Sequence, residues 1–192
     1  KITNKDIEIE NYINKYTKKN NLFTTKFLNS SGCPTMSIVQ KIGQGGSRKY
    51  NKNKFLKFLQ TKNLINNKHI PEEYLINSEK NRLKLLAGLI DSDGYKDKRG
   101  YGFVNKNKIL AENVYLLARS LGFYASIKQY TAKLKSKRYE CQAYKIYISG
   151  NIYKIPVLLE RKKQSNKKLK TDSTTWNITV EYLGIGNYFG FE

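Results

Sequence analysis

Leu86-Ala87-Gly88-Leu89-Ile90-Asp91-Ser92-Asp93-Gly94 is the stretch that decides the fold. It passes from small and apolar residues directly into two acids and a glycine. Leu86, Leu89 and Ile90 can share one apolar helix face. Ala87 and Gly88 carry almost no side chain, so a second backbone can come very close. Asp91 and Asp93 fall where the helix should stop, and Gly94 can take the left-handed conformation that ends helices. A helix that packs tightly on a partner and ends in oxygen donors suggests a shared metal site. Such carboxylates suit Mg²⁺, which takes one or two of them and fills its shell with water and phosphate.

These nine residues resemble the motif that names the LAGLIDADG homing endonucleases, differing only at Ser92, where the name has Ala. The similarity extends over nearly the whole chain and is to the endonuclease portion of an intein. It implies an α+β fold in which each half runs α-β-β-α-β-β-α, the strands forming a saddle-shaped antiparallel surface over double-stranded DNA. It also implies site-specific phosphodiester hydrolysis with Mg²⁺ or Mn²⁺, leaving a double-strand break that lets the element copy itself.

Composition points toward the same kind of partner on its own. Lys and Arg number 36 against 15 Asp and Glu, a formal charge of +21 spread along 192 residues. A field of that size attracts polyanions and speeds encounter with them. The 15 Tyr and 8 Phe are interleaved with the basic residues, and Tyr can hydrogen-bond to phosphate as well as pack. A ribosome-associated or RNA-binding protein would share this profile, and an AT-rich gene would inflate the Lys, Asn, Ile and Tyr content behind it. No apolar run reaches the ~18 residues of a membrane span, and the N-terminal twenty residues hold no signal-peptide core. The expectation is an intracellular protein, in cytoplasm or nucleus, and not a secreted one. Cys33 and Cys141 have no metal-ligand spacing, and the single histidine, His69, removes His-Cys zinc sites and disfavours a serine–histidine triad. The chemistry must rest on acids and lysines.

Along the chain, residues 4–20 read as a helix, 22–28 and 37–42 as strands flanking turn residues 29–34, 43–53 as a glycine-rich basic loop, and 53–62 as a helix with Phe55, Leu56, Phe58 and Leu59 inward. A second block opens at Ser78, a plausible N-cap, with the motif helix over 79–91. Residues 101–105 read as a strand, and 108–121 as a helix with Ile109, Val114, Leu117 and Leu121 inward, stopped by Gly122. Residues 123–131 and 139–149 read as a hairpin joined by a basic loop, and 151–161 as a last helix interrupted by Pro156. Residues 1–77 are thus a partial first half without its motif helix and first strands, 78–163 a second half carrying the motif, and 164–192 a basic linker followed by strand-like runs. The phrase Tyr188-Phe189-Gly190-Phe191-Glu192 resembles the entry to the C-terminal splicing segment of an intein; a plain strand completing a core is the other reading. On this reading the chain is a piece of a longer intein, with the missing half-motif upstream in the same chain; a homodimer supplying a second Asp93 by symmetry fits less well, because such members need only one unit.

The resemblance assigns residues as well. The second acid of the motif binds the catalytic metal, which places Asp93 there and leaves Asp91 to support the helix end. Lys68, two residues before Ile70-Pro71, matches a lysine near the active centre of related intein endonucleases. Its counterpart falls in residues 155–163, where Lys162 is the choice and Lys163 nearly as good. A lysine beside the phosphate can stabilise developing negative charge or help activate water. Strand alternation puts Lys145 and Tyr147 on one face, opposite Tyr144, Ile146 and Ile148, and puts Ser126, Lys128 and Tyr130 opposite Ile127. These polar residues can read base edges. Arg48 and Arg138, in the basic loops, can hold phosphates. Two other functions share these features: a catalytically degenerate DNA- or RNA-binding module (a regulator or maturase), and an insert that spaces the halves of a protein-splicing element.

Overall fold

The computed structural model describes residues 1–40, 53–134, 139–166 and 177–187. The elements in order are β1 (Ile2–Thr3), α1 (Ile7–Lys19), β2 (Phe23–Leu28), β3 (Pro34–Val39), α2 (Lys54–Thr61), α3 (Glu72–Leu75), α4 (Glu79–Asp93), β4 (Gly94–Asp97), β5 (Gly100–Asn105), α5 (Lys108–Ser120), β6 (Tyr124–Leu134) and β7 (Tyr139–Ser149). Two 3-10 turns follow, Ile152–Lys154 and Glu160–Lys162. Three of the helices, α2, α4 and α5, begin where short polar side chains take up free backbone donors. Asn53 accepts from the N–H groups of Phe55 and Leu56, Ser78 from Asn81, and Asn107 from Leu110. Past α5, Gly122 adopts φ 77°, and the N–H of Phe123 turns back to the carbonyl of Ala118 at 3.2 Å.

The strands form two antiparallel sheets, ordered β1-β3-β2 and β4-β5-β7-β6. The first order reproduces the β5-β7-β6 part of the second, with α1 placed between strands as α5 is. The counterparts of α4 and β4 are the parts that the first block lacks among the described residues. The main core lies on one face of the second sheet. Tyr101, Phe103, Ile146 and Ile148 rise from the strands to meet Leu86, Ala87 and Ile90 of α4 and Ala111, Val114, Leu117 and Ala118 of α5. This leaves the other sheet face free of helices from its own half.

Several sequence expectations are corrected. The motif helix continues two residues further, through Asp93, and passes directly into β4, a strand not read from the sequence. Ala87 belongs to the core, whereas Gly88 is exposed with nothing within 4 Å of where a Cβ would stand; the small-residue face is Gly88's alone. In α5, Ile109 is 57% exposed, and Leu110, Ala111 and Ala118 take the inward positions. Phe58 of α2 is exposed. The strand expected over 37–42 begins earlier, at Pro34, and residues 41 and 42 lie outside the described residues. Residues 151–161 form no α-helix: Pro156 has no N–H to give, and the N–H groups of Leu158 and Leu159 are drawn to Asp91. Residues 177–187 form no strand, and Ile178, Val180, Tyr182, Leu183 and Ile185 are fully open to solvent, which removes the core-completing strand for this part.

Candidate metal centre and nucleic-acid interface

The end of α4 carries two carboxylates with opposite fates. Asp91 is 3% exposed and accepts the N–H of Leu158 at 2.7 Å and of Leu159 at 3.3 Å. Its charge is thereby spent on holding residues 155–163 beneath the helix. Asp93, two residues on, is exposed and makes no hydrogen bond or ion pair among the described residues. Its oxygens are open for a ligand. The donor set fits Mg²⁺ or Mn²⁺ as a single protein carboxylate, with water and phosphate oxygens filling the other positions. It does not fit a closed protein cage, since no cluster of three His, Cys, Asp or Glu occurs among the described residues.

Lys162 has another place than the one expected of it. It is 5% exposed, and its ammonium donates to the carbonyls of Ile90 (2.7 Å), Asp91 (2.9 Å) and Gly94 (2.8 Å). All three of its donors are occupied, so the side chain ends the motif helix and is not turned to a phosphate. Burial, and then the neighbouring Arg161 charge, lower its pKa from the ordinary lysine value. Lys163, the second choice, points outward into an ion pair with Glu160 at 2.6 Å. Gly94 also departs from expectation. Its φ is −85°, so no left-handed turn is used. Glycine is needed because a Cβ would lie 2.7 Å from the Ile90 Cα. The buried hydroxyl of Tyr101 donates to the Lys162 carbonyl at 2.8 Å, and burial and then the Asp91 charge raise its pKa to about 12. Tyr101 was not singled out from sequence, because nothing local marks a partner 61 residues away.

Lys68 has an exposed side chain in a segment fixed from behind. Its carbonyl accepts from Asn107 Nδ2 at 3.0 Å, and the Ile70 N–H donates to Asn113 Oδ1 at 3.0 Å. This anchors Lys68 at the N-terminus of α5, and no contact joins it to Asp93 among the described residues. Arg161 of the second block makes an ion pair with Asp6, the N-cap residue of α1, at 2.8 Å. Each block thus holds the tail of the other at the start of its central helix.

The helix-free face of the second sheet gathers the five residues expected to face DNA. Register pairs Ser126 with Tyr147, Lys128 with Lys145 and Tyr130 with Ala143, all on the side opposite the core. Tyr95 of β4, not named from sequence, joins them, with its ring near the Lys145 ammonium. Arg48 and Arg138 lie outside the described residues.

Comparison with known proteins bears on this arrangement. A family model described as homing endonuclease matches residues 69–179, more than half of the chain. The replicative DNA helicase DnaB of Mycobacterium intracellulare is 47% identical over 66 residues, which are 34% of this chain; the chain spans 12% of that protein's length. A solved structure of mesophilic variants of the homing endonuclease I-DmoI matches at 17% identity and a TM-score of 0.51, over 80% of this chain and 77% of its own. I-DmoI in complex with DNA and Mn matches at 17% identity and a TM-score of 0.48, over 77% and 72%. The mixed helix and antiparallel-sheet architecture described above is the I-DmoI fold.

Proposed function

Because this chain belongs to the homing endonuclease family, we propose that it is the DNA-cutting part of a site-specific double-strand endonuclease carried within an intein. The observation that carries this reading is Asp93: an open carboxylate at the end of the motif helix, directly before the strand β4 of the sheet whose helix-free face carries Lys128, Lys145 and three tyrosines. Asp93 would hold Mg²⁺ or Mn²⁺, supplying charge to polarise a scissile phosphate and to make water a better nucleophile near neutral pH. Asp91, Tyr101 and Lys162 fix the helix end so that Asp93 stays in place. Lys128 and Lys145, with the overall +21 charge, attract and orient the duplex. The exposed Gly88 leaves room for a second motif helix to pack closely on α4. Such a helix, in the same polypeptide, would bring the second acid needed to cut the other strand. The intein setting is supported by the match to a protein named as a replicative helicase, since a nuclease-like stretch within a helicase is what an inserted element would produce.

The test uses plasmids with randomised inserts, incubated with the purified protein and Mg²⁺ or Mn²⁺. Metal-dependent linear product enriched in one sequence supports the reading. Salt-sensitive, sequence-selective binding with no cut in either metal, even after a second motif helix is supplied, replaces it with the binding-module function. No selective binding removes both.

A further inference from the structure

Gly102 of β5 makes the floor of the helix-free face. A Cβ on Gly102 would collide with the Cζ, Cε1 and Oη atoms of Tyr95, whereas one on Gly100 would first strike the Ile148 carbonyl oxygen. The Tyr95 ring lies across Gly102, where no side chain stands in its way. Tyr95 is thereby carried over β5 toward β7. The Lys145 ammonium stands 5.9 Å from its ring centroid, within reach of a cation–π attraction.

Lys145 rises from an interior strand, not from the rim. It pairs directly with Lys128, and like charges directly opposite destabilise a sheet unless something lies between them. Lys128 has no carboxylate partner among the described residues. The pair therefore calls for an acceptor-rich ligand. Gly94, the residue after Asp93, pairs with Phe103, and Phe103 pairs with Ile146 beside Lys145, so Lys145 stands on the sheet whose edge strand leaves Asp93. An ammonium held beside the ring keeps its N–H groups free for guanine O6 and N7, which both accept in the major groove. A phosphate contact would need no such tether.

We propose that Tyr95 is a specificity-determining residue, which fixes Lys145 to read one guanine in the major groove. This rests on the DNA-cutting function proposed above. The experiment is rounds of selection from a randomised duplex pool by the full chain and its variants, followed by sequencing. The wild type should enrich guanine at one position. Lys145→Gln should lose the preference there. Tyr95→Leu, which removes the ring beside the ammonium, should weaken it about two- to fivefold while other positions and the salt dependence stay the same. Gly102→Ala, which displaces the ring, should have the same local effect. An undiminished guanine preference in Tyr95→Leu overturns the proposal while leaving DNA cutting intact. A wild type that enriches no sequence overturns both.

Discussion

The ammonium of Lys162 donates a 2.9 Å hydrogen bond to the carbonyl of Asp91, 71 residues earlier in the chain. With its bonds to Ile90 and Gly94, it neutralises the negative end of the motif helix. Lys162→Met should therefore destabilise by about 2–3 kcal/mol, because buried carbonyls lose their charged donor. For a chain of this size that lowers Tm by roughly 5–10 °C. Thermal melts followed by circular dichroism check this. A Tm unchanged within error would mean that Lys162 is free for another task, such as a phosphate.

Asp91 and Asp93 should separate cleanly on substitution. Asp93→Asn removes an exposed, unpartnered carboxylate, so folding and DNA affinity should change little. Cleavage by the assembled enzyme should fall about 10³-fold or more, since several kcal/mol of charge stabilisation depend on the metal held there. Asp91→Asn should lower Tm instead, by an amount matching about 1–3 kcal/mol, because Leu158 and Leu159 each donate to a different carboxylate oxygen and the amide would set a donor NH2 against one of them. Melting and cleavage measured on both variants give the answer. A normal rate in Asp93→Asn with Mg²⁺ would move the metal site elsewhere.

The sequence revealed the fold through patterns that are local. Helical spacing, the Ser78 cap and the strand alternation around Lys145 each depend on neighbours a few residues apart, and each has its counterpart in the structure. What stayed hidden depends on distant partners. Nothing in residues 155–163 tells that Leu158, Leu159 and Lys162 are claimed by the end of α4, so an irregular segment read as a helix and a helix cap read as a phosphate lysine. Tyr95 was overlooked because its orientation depends on Gly102, across the β4–β5 pair. Ile109 read as inward because spacing alone cannot choose between adjacent positions on an apolar arc. The exposed Gly88 was legible as a small residue, but not as the one whose face remains open.

Gly94→Ala should be among the most disruptive single changes outside the core. A Cβ there would meet the backbone of Ile90 at 2.7 Å from Cα and 2.9 Å from the carbonyl oxygen. Backbone on both sides cannot swing aside as a side chain can. The helix end must shift, and Asp93 and the Lys162 contacts shift with it. A loss of about 2–4 kcal/mol is expected, comparable to overpacked sites. Chemical denaturation should show a lower midpoint with an unchanged slope. Wild-type stability would show that the junction between α4 and β4 has slack.

Tyr101 sets an alkaline limit on stability. Its pKa is raised from 10.0 to about 12, first by burial and then by the charge of Asp91. The raised value means that the folded state holds the proton more tightly than the unfolded chain does. The stabilisation is therefore complete below pH 10, is lost progressively as pH rises through 12, and amounts to about 2–3 kcal/mol in all. Lys162 works in the opposite sense: its lowered pKa is a penalty on the charged form, relieved as pH rises toward the ordinary lysine value. The two are separated by Tyr101→Phe, which removes the phenol and its 2.8 Å bond to the Lys162 carbonyl. Below pH 9 the variant should be less stable by about 1 kcal/mol, the worth of one hydrogen bond. Between pH 10 and 12 the wild type should lose stability faster, so that the gap closes and then reverses. Denaturation midpoints at several pH values follow this directly, and parallel pH profiles for the two proteins would show that Tyr101 does not titrate differently on folding.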